Sequence, residues 1–194
     1  MIKMSKKLDS KMKELKKSNA ETFFHLLRVK KLVLDMIERT NRDGLTDYSA
    51  DEVDAICKGA LLHDIGKLYV NNFILTKDTY LTPEEKAAIQ QHVDHGYDIV
   101  KDELEPDEKE FVTNICRYHH ERIDGSGYKE LSDLPLYVQI VSVCDVFDSL
   151  YSDRIYRDGF TPEKTMEMIR GGACGGFDET LIDYMQKVSD YING

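Results

Sequence analysis

The sequence predicts an all-α protein, a single-domain helical bundle with a metal centre in its interior. Apolar residues recur at three- and four-residue spacings along most of the 194 residues, whereas convincing strand alternation is absent. The length suits one domain with a substantial core. Histidines and acidic residues fall at helical positions from which they can converge, and helical bundles build metal sites in this way.

The composition is that of a globular protein, with 41% hydrophobic and 32% charged residues. The net charge of −10 argues against binding to polymeric nucleic acid, although it permits a small phosphorylated ligand. No apolar run approaches the ~20 residues that cross a bilayer, so we expect no membrane insertion. The basic N-terminus is not followed by the apolar segment of a secretory signal, and this predicts a cytoplasmic location.

Helical periodicity begins at Glu21 and continues to the turn at residues 41–44, which ends the first long helix. Ser49 and Glu52 form a capping box that opens a second helix. This second helix carries apolar residues towards His63, so both segments are expected to pack in the core.

The next two helices also have clear start signals. Thr82 and Glu85 form a capping box with proline at the first helical position, and this predicts one helix reaching about Val100. Pro106 precedes a further helix that runs to His119.

The C-terminal third contains three more predicted helices. A long apolar helix covers residues 136–151, and Thr161 and Asp178 open the last two. Residues 122–135 and the glycine cluster at 171–176 are predicted to be irregular, and the former is long enough to have a function.

His63 and Asp64 are adjacent at the end of the second helix. Imidazole and carboxylate together suit Mn, Fe, Zn or Mg, and the two oxygens of Asp64 can bridge two ions. Glu21 and His25 are four residues apart on the first helix and therefore point to the same side. A histidine–aspartate pair alone is weak evidence, so its meaning depends on the other candidates.

Those other candidates are His92, His119, His120 and Asp145. Each histidine taken singly is more often exposed or structural than a ligand. Asp145, however, lies in an otherwise apolar helix, where a carboxylate without a partner is costly. Because all of these residues fall in one predicted bundle, a shared interior metal site explains them better than separate structural roles.

Six segments, taken in this order, resemble the HD-GYP branch of the HD-domain phosphohydrolases. They are HLLRV from His25, HDIGK from His63, HVDHG from His92, HHERIDGSGY from His119, DVFDSL from Asp145 and DRIYR from Asp153. The resemblance extends from about Glu21 to the C-terminus. We therefore expect an N-terminal helical extension at residues 1–20 and an HD-GYP-like phosphohydrolase domain at residues 21–194.

The resemblance implies an HD-type helical bundle and an enzyme of bacterial signalling that hydrolyses cyclic di-GMP to pGpG or GMP. It implies two or three divalent metal ions as cofactors, with Glu21 binding the third. It also assigns Lys67 to the scissile phosphate, Arg154 and Arg157 to the substrate's phosphates, and Gly127 and Tyr128 to a lid beside the nucleotide. The implied metal ligands are Glu21, His25, His63, Asp64, His92, His119, His120 and Asp145.

A two-metal centre suits phosphodiester hydrolysis because it generates hydroxide near neutral pH and neutralises phosphate charge. We expect a metal-activated hydroxide near Asp64, with Lys67 stabilising the developing charge. Iron or manganese is favoured because the ligands are imidazoles and carboxylates without a thiolate, while magnesium, nickel and zinc stay open.

Lys129 departs from the family pattern, since it follows Gly127 and Tyr128 where the family has proline. A solvated loop lysine is favoured over an added phosphate contact. In the family this loop is implicated in contacts with diguanylate cyclase (GGDEF) domains, so such a domain or another regulatory protein is an expected partner.

Two other functions stay open at this point. One is hydrolysis of another cyclic dinucleotide or of a nucleotide phosphoester, because the lid sets the substrate. The other is a non-catalytic receptor for cyclic di-GMP, although the complete set of ligands and Lys67 favours catalysis.

Overall fold

The computed structural model describes residues 3–153 and 158–193. Its described residues form ten α-helices and one 3₁₀ helix and contain no β-strand, which confirms the predicted all-α class. The α-helices are α1 (Lys6–Ser18), α2 (Ala20–Arg42), α3 (Ala50–Leu62), α4 (Asn72–Leu75), α5 (Pro83–Gln90), α6 (His92–Val100), α7 (Pro106–Tyr118), α8 (Leu136–Tyr151), α9 (Pro162–Arg170) and α10 (Glu179–Asn193); the 3₁₀ helix is Ile65–Tyr69.

The predicted capping boxes begin α3 and α5. The Ser49 hydroxyl accepts the Glu52 N–H at 3.4 Å, and the Glu52 carboxylate accepts the Ser49 N–H at 2.8 Å. Thr82 and Glu85 exchange the same two hydrogen bonds, with Pro83 at the first helical position. Each box satisfies backbone N–H groups that have no partner within the helix, which stabilises a helix end by about 1 kcal/mol.

The prediction of one helix from Thr82 to Val100 is wrong, because the chain turns at Gln91 and continues as α6. Gln91, with a φ of −64° and a ψ of −14°, is the single turn residue between the two helices. The turn brings α6 against the 3₁₀ helix, where a Cβ on Gly66 would lie only 1.9 Å from the His92 carbonyl oxygen. This close backbone contact is tertiary, and a local capping signal does not encode it.

Two apolar clusters form the core. The larger is built from α2, α3 and α7–α10, with α8 contributing the most buried positions. The smaller joins α1, the start of α2, the end of α3, the 3₁₀ helix, α6 and α7. Helices α2, α3 and α7 contribute to both clusters, and His25, His63 and His119 lie on or directly after these helices.

Helix α1 is part of the smaller cluster. Leu8, Met12 and Leu15 are buried, and the helix packs against α2 and the 3₁₀ helix. A boundary at residue 21 between an extension and a domain stays a prediction.

No helix within the described ranges is long and apolar enough to cross a bilayer.

Candidate metal centre

Asp64 is the central residue of a buried polar cluster. It follows the end of α3 and is 1% exposed. Two sets of possible metal ligands meet around it, and within each set the ligand atoms lie within 4.8 Å of one another. One set contains Asp64, His92, His119 and His120, and the other contains His25, His63 and Asp145. The structure thus brings together every predicted metal ligand except Glu21.

The two carboxylate oxygens of Asp64 face different sets. Oδ1 lies 3.1 Å from Nε2 of His92 and 3.8 Å from Nε2 of His119. Oδ2 lies 3.6 Å from Nε2 of His63 and 3.8 Å from Nε2 of His25. A single carboxylate is therefore placed to join two cation sites, one on each side.

Asp145 enters the cluster from the middle of α8. Its Oδ1 lies 3.0 Å from Nε2 of His25 and 3.6 Å from Nε2 of His63. The remainder of this helix is mostly buried and apolar, so the two imidazoles supply the partners that a buried carboxylate requires.

Helix ends orient three of the imidazole rings. Nδ1 of His63 donates to the Ala60 carbonyl at 2.8 Å, and Nδ1 of His92 donates to the Ile89 carbonyl at 2.7 Å. Nδ1 of His119 makes the same contact with Ile115, at 3.0 Å. These carbonyls belong to the last turns of α3, α5 and α7, and those of Ile89 and Ile115 also accept a backbone N–H, from Gln91 and His119 respectively. The Nε2 atoms are left facing the centre, as is usual for metal-binding histidines.

His25 is oriented by a carboxylate instead, which the sequence reasoning missed. Its Nδ1 lies 2.6 Å from Oδ2 of Asp148. Arg28 donates twice to Asp148, from Nε at 2.7 Å and from a terminal nitrogen at 2.9 Å. The available signal was the three-residue spacing between Asp145 and Asp148, which places both on one face of α8.

The charges of the cluster suit cation binding. Burial raises the pKa of Asp64, but the Lys67 ammonium and the neighbouring imidazoles outweigh it and hold that pKa well below its usual range. Burial and the adjacent imidazoles lower the pKa values of His119 and His120 well below the ordinary value. Asp64 is therefore ionised and these two histidines are neutral, which are the forms that bind metal.

A direct test of metal fit comes from polar atoms in the cluster. Nε2 of His63 and Oδ1 of Asp64 are buried and make no hydrogen bond with any described residue. Buried polar atoms of this kind are costly and rare in folded proteins. Divalent cations held by imidazole and carboxylate would satisfy both atoms, so the residues fit the metal that the sequence predicts.

Lys67 lies on the 3₁₀ helix with its Nζ 2.5 Å from Oδ2 of Asp64. Beside it opens a cleft of about 460 Å³, lined also by Glu21, Thr22, Ser149 and the chain between α4 and α5. Glu21 thus borders the cleft and stays outside both ligand sets. Its predicted role at a third metal stays a prediction.

Tyr128 covers another part of the cluster. Its ring stacks on that of His120, with centroids 4.3 Å apart and an interplanar angle of 18°. The loop 127–131 that carries it, here called the Tyr128 loop, is anchored on Glu121, which is 1% exposed. The Glu121 carboxylate accepts the N–H groups of Lys129 and Leu131. This anchoring role of Glu121 was not predicted.

Arg122 fixes the backbone that carries His119 and His120. One terminal guanidinium nitrogen donates to the carbonyls of His119 and Glu121 and to the Ser142 hydroxyl, at 2.6 to 3.0 Å. Burial lowers the pKa of Arg122. Because the ordinary pKa of a guanidinium is very high, the side chain still keeps its charge.

Lys129 is partly exposed and forms an ion pair that the sequence did not predict. Its Nζ lies 3.0 Å from each carboxylate oxygen of Asp94, at the start of α6. The predicted phosphate contacts Arg154 and Arg157 lie outside the described residues and stay predictions.

A family model described as HD domain matches residues 22–150, which include all seven clustered ligands. The chain belongs to the HD domain family. Members of this family are metal-dependent, and the buried histidine–aspartate sets are where this member can bind metal.

Curated relatives agree with the predicted HD-GYP branch. The chain is 33% identical over 177 residues to a protein named probable cyclic di-GMP phosphodiesterase from Vibrio cholerae, covering 84% of this chain and 39% of the relative. It is 34% identical over 147 residues to the 3'3'-cGAMP-specific phosphodiesterase 2 of the same organism, covering 73% of this chain and 27% of the relative. The chain therefore spans less than half the length of these relatives.

A solved structure confirms the HD-type fold. The structure of Bd1817, described as an HDG"Y"P protein from Bdellovibrio bacteriovorus, matches with a TM-score of 0.67 and 24% identity. The match covers 89% of this chain and 52% of that one. This likeness shows the fold, and the names of the curated relatives as cyclic dinucleotide phosphodiesterases bear out the resemblance to the HD-GYP branch.

Proposed function

We propose that this protein is a metal-dependent phosphodiesterase that hydrolyses a cyclic dinucleotide, with cyclic di-GMP as the favoured substrate and pGpG or GMP as product. The observation that carries the proposal is the position of Asp64 between two ligand sets, beside Lys67 and an open cleft. Membership of the HD domain family and the names of the relatives support the same reaction class.

The proposed cofactors are two divalent ions, one held by each ligand set and both adjoining Asp64. Divalent ions supply phosphodiester hydrolysis with an activated water and with positive charge beside the phosphate oxygens. Iron and manganese are favoured because the sets contain imidazoles and carboxylates and no thiolate. A third ion would use Glu21, which borders the cleft next to Lys67.

The protein's own residues bind and orient the substrate. Lys67 is charged and lies at the edge of the cleft, where it would pair with a phosphate oxygen and stabilise charge that develops on it. Tyr128 offers an aromatic face beside the cluster for a nucleobase. Arg154 and Arg157 would grip phosphate with planar donor groups.

The test is chromatographic analysis of products after anaerobic, Fe- or Mn-loaded protein is incubated with cyclic di-GMP. We expect pGpG or GMP from the wild type and none from the His63→Ala/Asp64→Ala variant, whose helical content should be unchanged. His95→Ala is a matched control, because His95 is the one histidine outside both ligand sets and should retain turnover. Equal turnover by the double variant would show that the proposed centre is not the catalytic one.

A second substrate, 3'3'-cGAMP, is favoured by one observation: a relative with this specificity in its name is as similar to the chain as the cyclic di-GMP enzyme. The same chromatographic assay with 3'3'-cGAMP compares the two. Binding of either dinucleotide without product, in protein shown to hold metal, would favour the non-catalytic receptor.

Three wider properties belong to the proposal. We propose a cytoplasmic protein with the phosphohydrolase domain at residues 21–194. A diguanylate cyclase (GGDEF) domain or another regulatory protein is the proposed partner, on the strength of the family resemblance of the Tyr128 loop.

A further inference from the structure

The Tyr128 loop places an aromatic ring at the edge of the ligand cluster. The ring stacks on His120 and also meets the ring of His92 edge-on, at 6.4 Å between centroids. It is 36% exposed, so one part of it faces the ligands and another faces solvent. Any shift of this loop therefore changes the aromatic surface that a substrate meets beside the centre.

The backbone of this loop is under strain. Glu130 has a φ of 58°, which places a residue with a side chain in the left-handed region. Such a conformation is unfavourable for a residue with a side chain and persists only where the surroundings impose it. The loop consequently needs restraints from outside its own sequence.

Lys129 supplies two of these restraints, and proline could make neither. Its backbone N–H donates to the buried carboxylate of Glu121, at 2.9 and 3.1 Å from the two oxygens. Its Nζ pairs with both oxygens of Asp94, two residues after His92. Proline would fix φ but has no N–H and no charge.

We propose that Lys129 is a positioning residue, whose ion pair with Asp94 ties the Tyr128 loop to α6 and so holds the Tyr128 ring over His120. The effect on catalysis rests on the proposed function, whereas the effect on the loop does not. The hydrogen bonds of Lys129 join Glu121 and Asp94, neither of which is in a ligand set, so Lys129 acts through Tyr128 rather than on the reacting atoms.

Loss of the ion pair should weaken substrate binding more than turnover. For Lys129→Met we expect KM for cyclic di-GMP to rise about two- to five-fold, the size expected of a half-exposed ion pair, with kcat nearly unchanged. Lys129→Arg keeps the backbone N–H and the charge and should restore a KM close to that of the wild type.

A double-mutant cycle isolates the pair. Asp94→Asn also removes the contact of Arg117, whose Nε lies 3.4 Å from the Asp94 carboxylate, so the single variant alone is not decisive. If the Lys129–Asp94 ion pair positions the loop, adding Lys129→Met to Asp94→Asn should raise KM no further.

Lys109→Met is the matched charge control, because Lys109 lies near the start of α7, at the end of the helix away from His119. This variant should leave KM unchanged. Fully additive effects, or a Lys129→Met variant with the KM of the wild type, would overturn the proposal.

Hydrogen exchange measured by mass spectrometry tests the loop without any substrate. Amides of residues 127–131 should exchange about two- to five-fold faster in Lys129→Met and Asp94→Asn, with the core helices unchanged. If no dinucleotide is hydrolysed by the wild type, the proposed function fails, and this measurement still decides the role of Lys129. Unchanged exchange in both variants would contradict that role even in an active enzyme.

Discussion

Asp148 controls the orientation of His25 although it lies outside both ligand sets. It contacts Nδ1 of His25 at 2.6 Å and is itself held by Arg28, so the ring has one orientation with Nε2 facing Asp145. Replacing a carboxylate that hydrogen-bonds the far ring nitrogen of a metal-binding histidine typically lowers metal affinity or activity by about 10- to 100-fold.

We therefore expect Asp148→Asn to weaken metal binding by about 10- to 100-fold without loss of helical content. Metal affinity measured by competition with a chelator tests this. Asp183→Asn on α10 is a matched control, because its carboxylate pairs with Arg170 at the surface. Affinity equal to that of the wild type would make Asp148 a structural residue only.

Most of the candidate metal ligands could be predicted from the sequence, but the residues that hold those ligands and the Tyr128 loop in place could not. His63, Asp64 and Asp145 stand out in apolar surroundings, and family resemblance added the other ligands. Asp148 and Glu121 are also acidic residues of the same motifs. Their roles depend on which atoms they meet across the fold, on α2 and on the Tyr128 loop respectively, and sequence spacing does not give that.

At the scale of elements, helix starts were predictable and the junction of α5 with α6 was not. A capping box joins residues only three positions apart, so the sequence around Ser49 and Thr82 is enough to predict where α3 and α5 begin. The turn at Gln91 depends on the 3₁₀ helix packing against the start of α6 through Gly66. The turn matters for function because it places His92, the first residue of α6, in the cluster.

Gly66→Ala should therefore be strongly destabilising. The added Cβ would lie 1.9 Å from the His92 carbonyl oxygen and 2.5 Å from the Gly96 nitrogen, so the backbone must move. We expect a loss of about 2–3 kcal/mol in the free energy of unfolding, measured by urea denaturation. Gly96→Ala is the matched control: its Cβ would meet nothing closer than 3.6 Å, and alanine favours a helix over glycine by about 1 kcal/mol. A Gly66→Ala variant as stable as Gly96→Ala would contradict the proposed backbone contact.

At the scale of the whole molecule, the net charge of −10 has to be reconciled with an anionic substrate. Each ligand set contains one carboxylate, and the pKa values of His119 and His120 lie well below the ordinary value. Two divalent ions would bring more positive charge than these carboxylates offset, so the centre would be locally positive within an acidic protein. Bound metal is thus expected to be a condition for substrate binding as well as for hydrolysis.

The most direct test of the central claim is anomalous X-ray diffraction from crystals of Mn-loaded protein. The account predicts two anomalous peaks on opposite sides of the Asp64 carboxylate, one beside His92, His119 and His120 and the other beside His25, His63 and Asp145. An additional peak at Glu21 would locate a third ion. A single peak, or peaks that Asp64 does not contact, would contradict the shared two-metal centre.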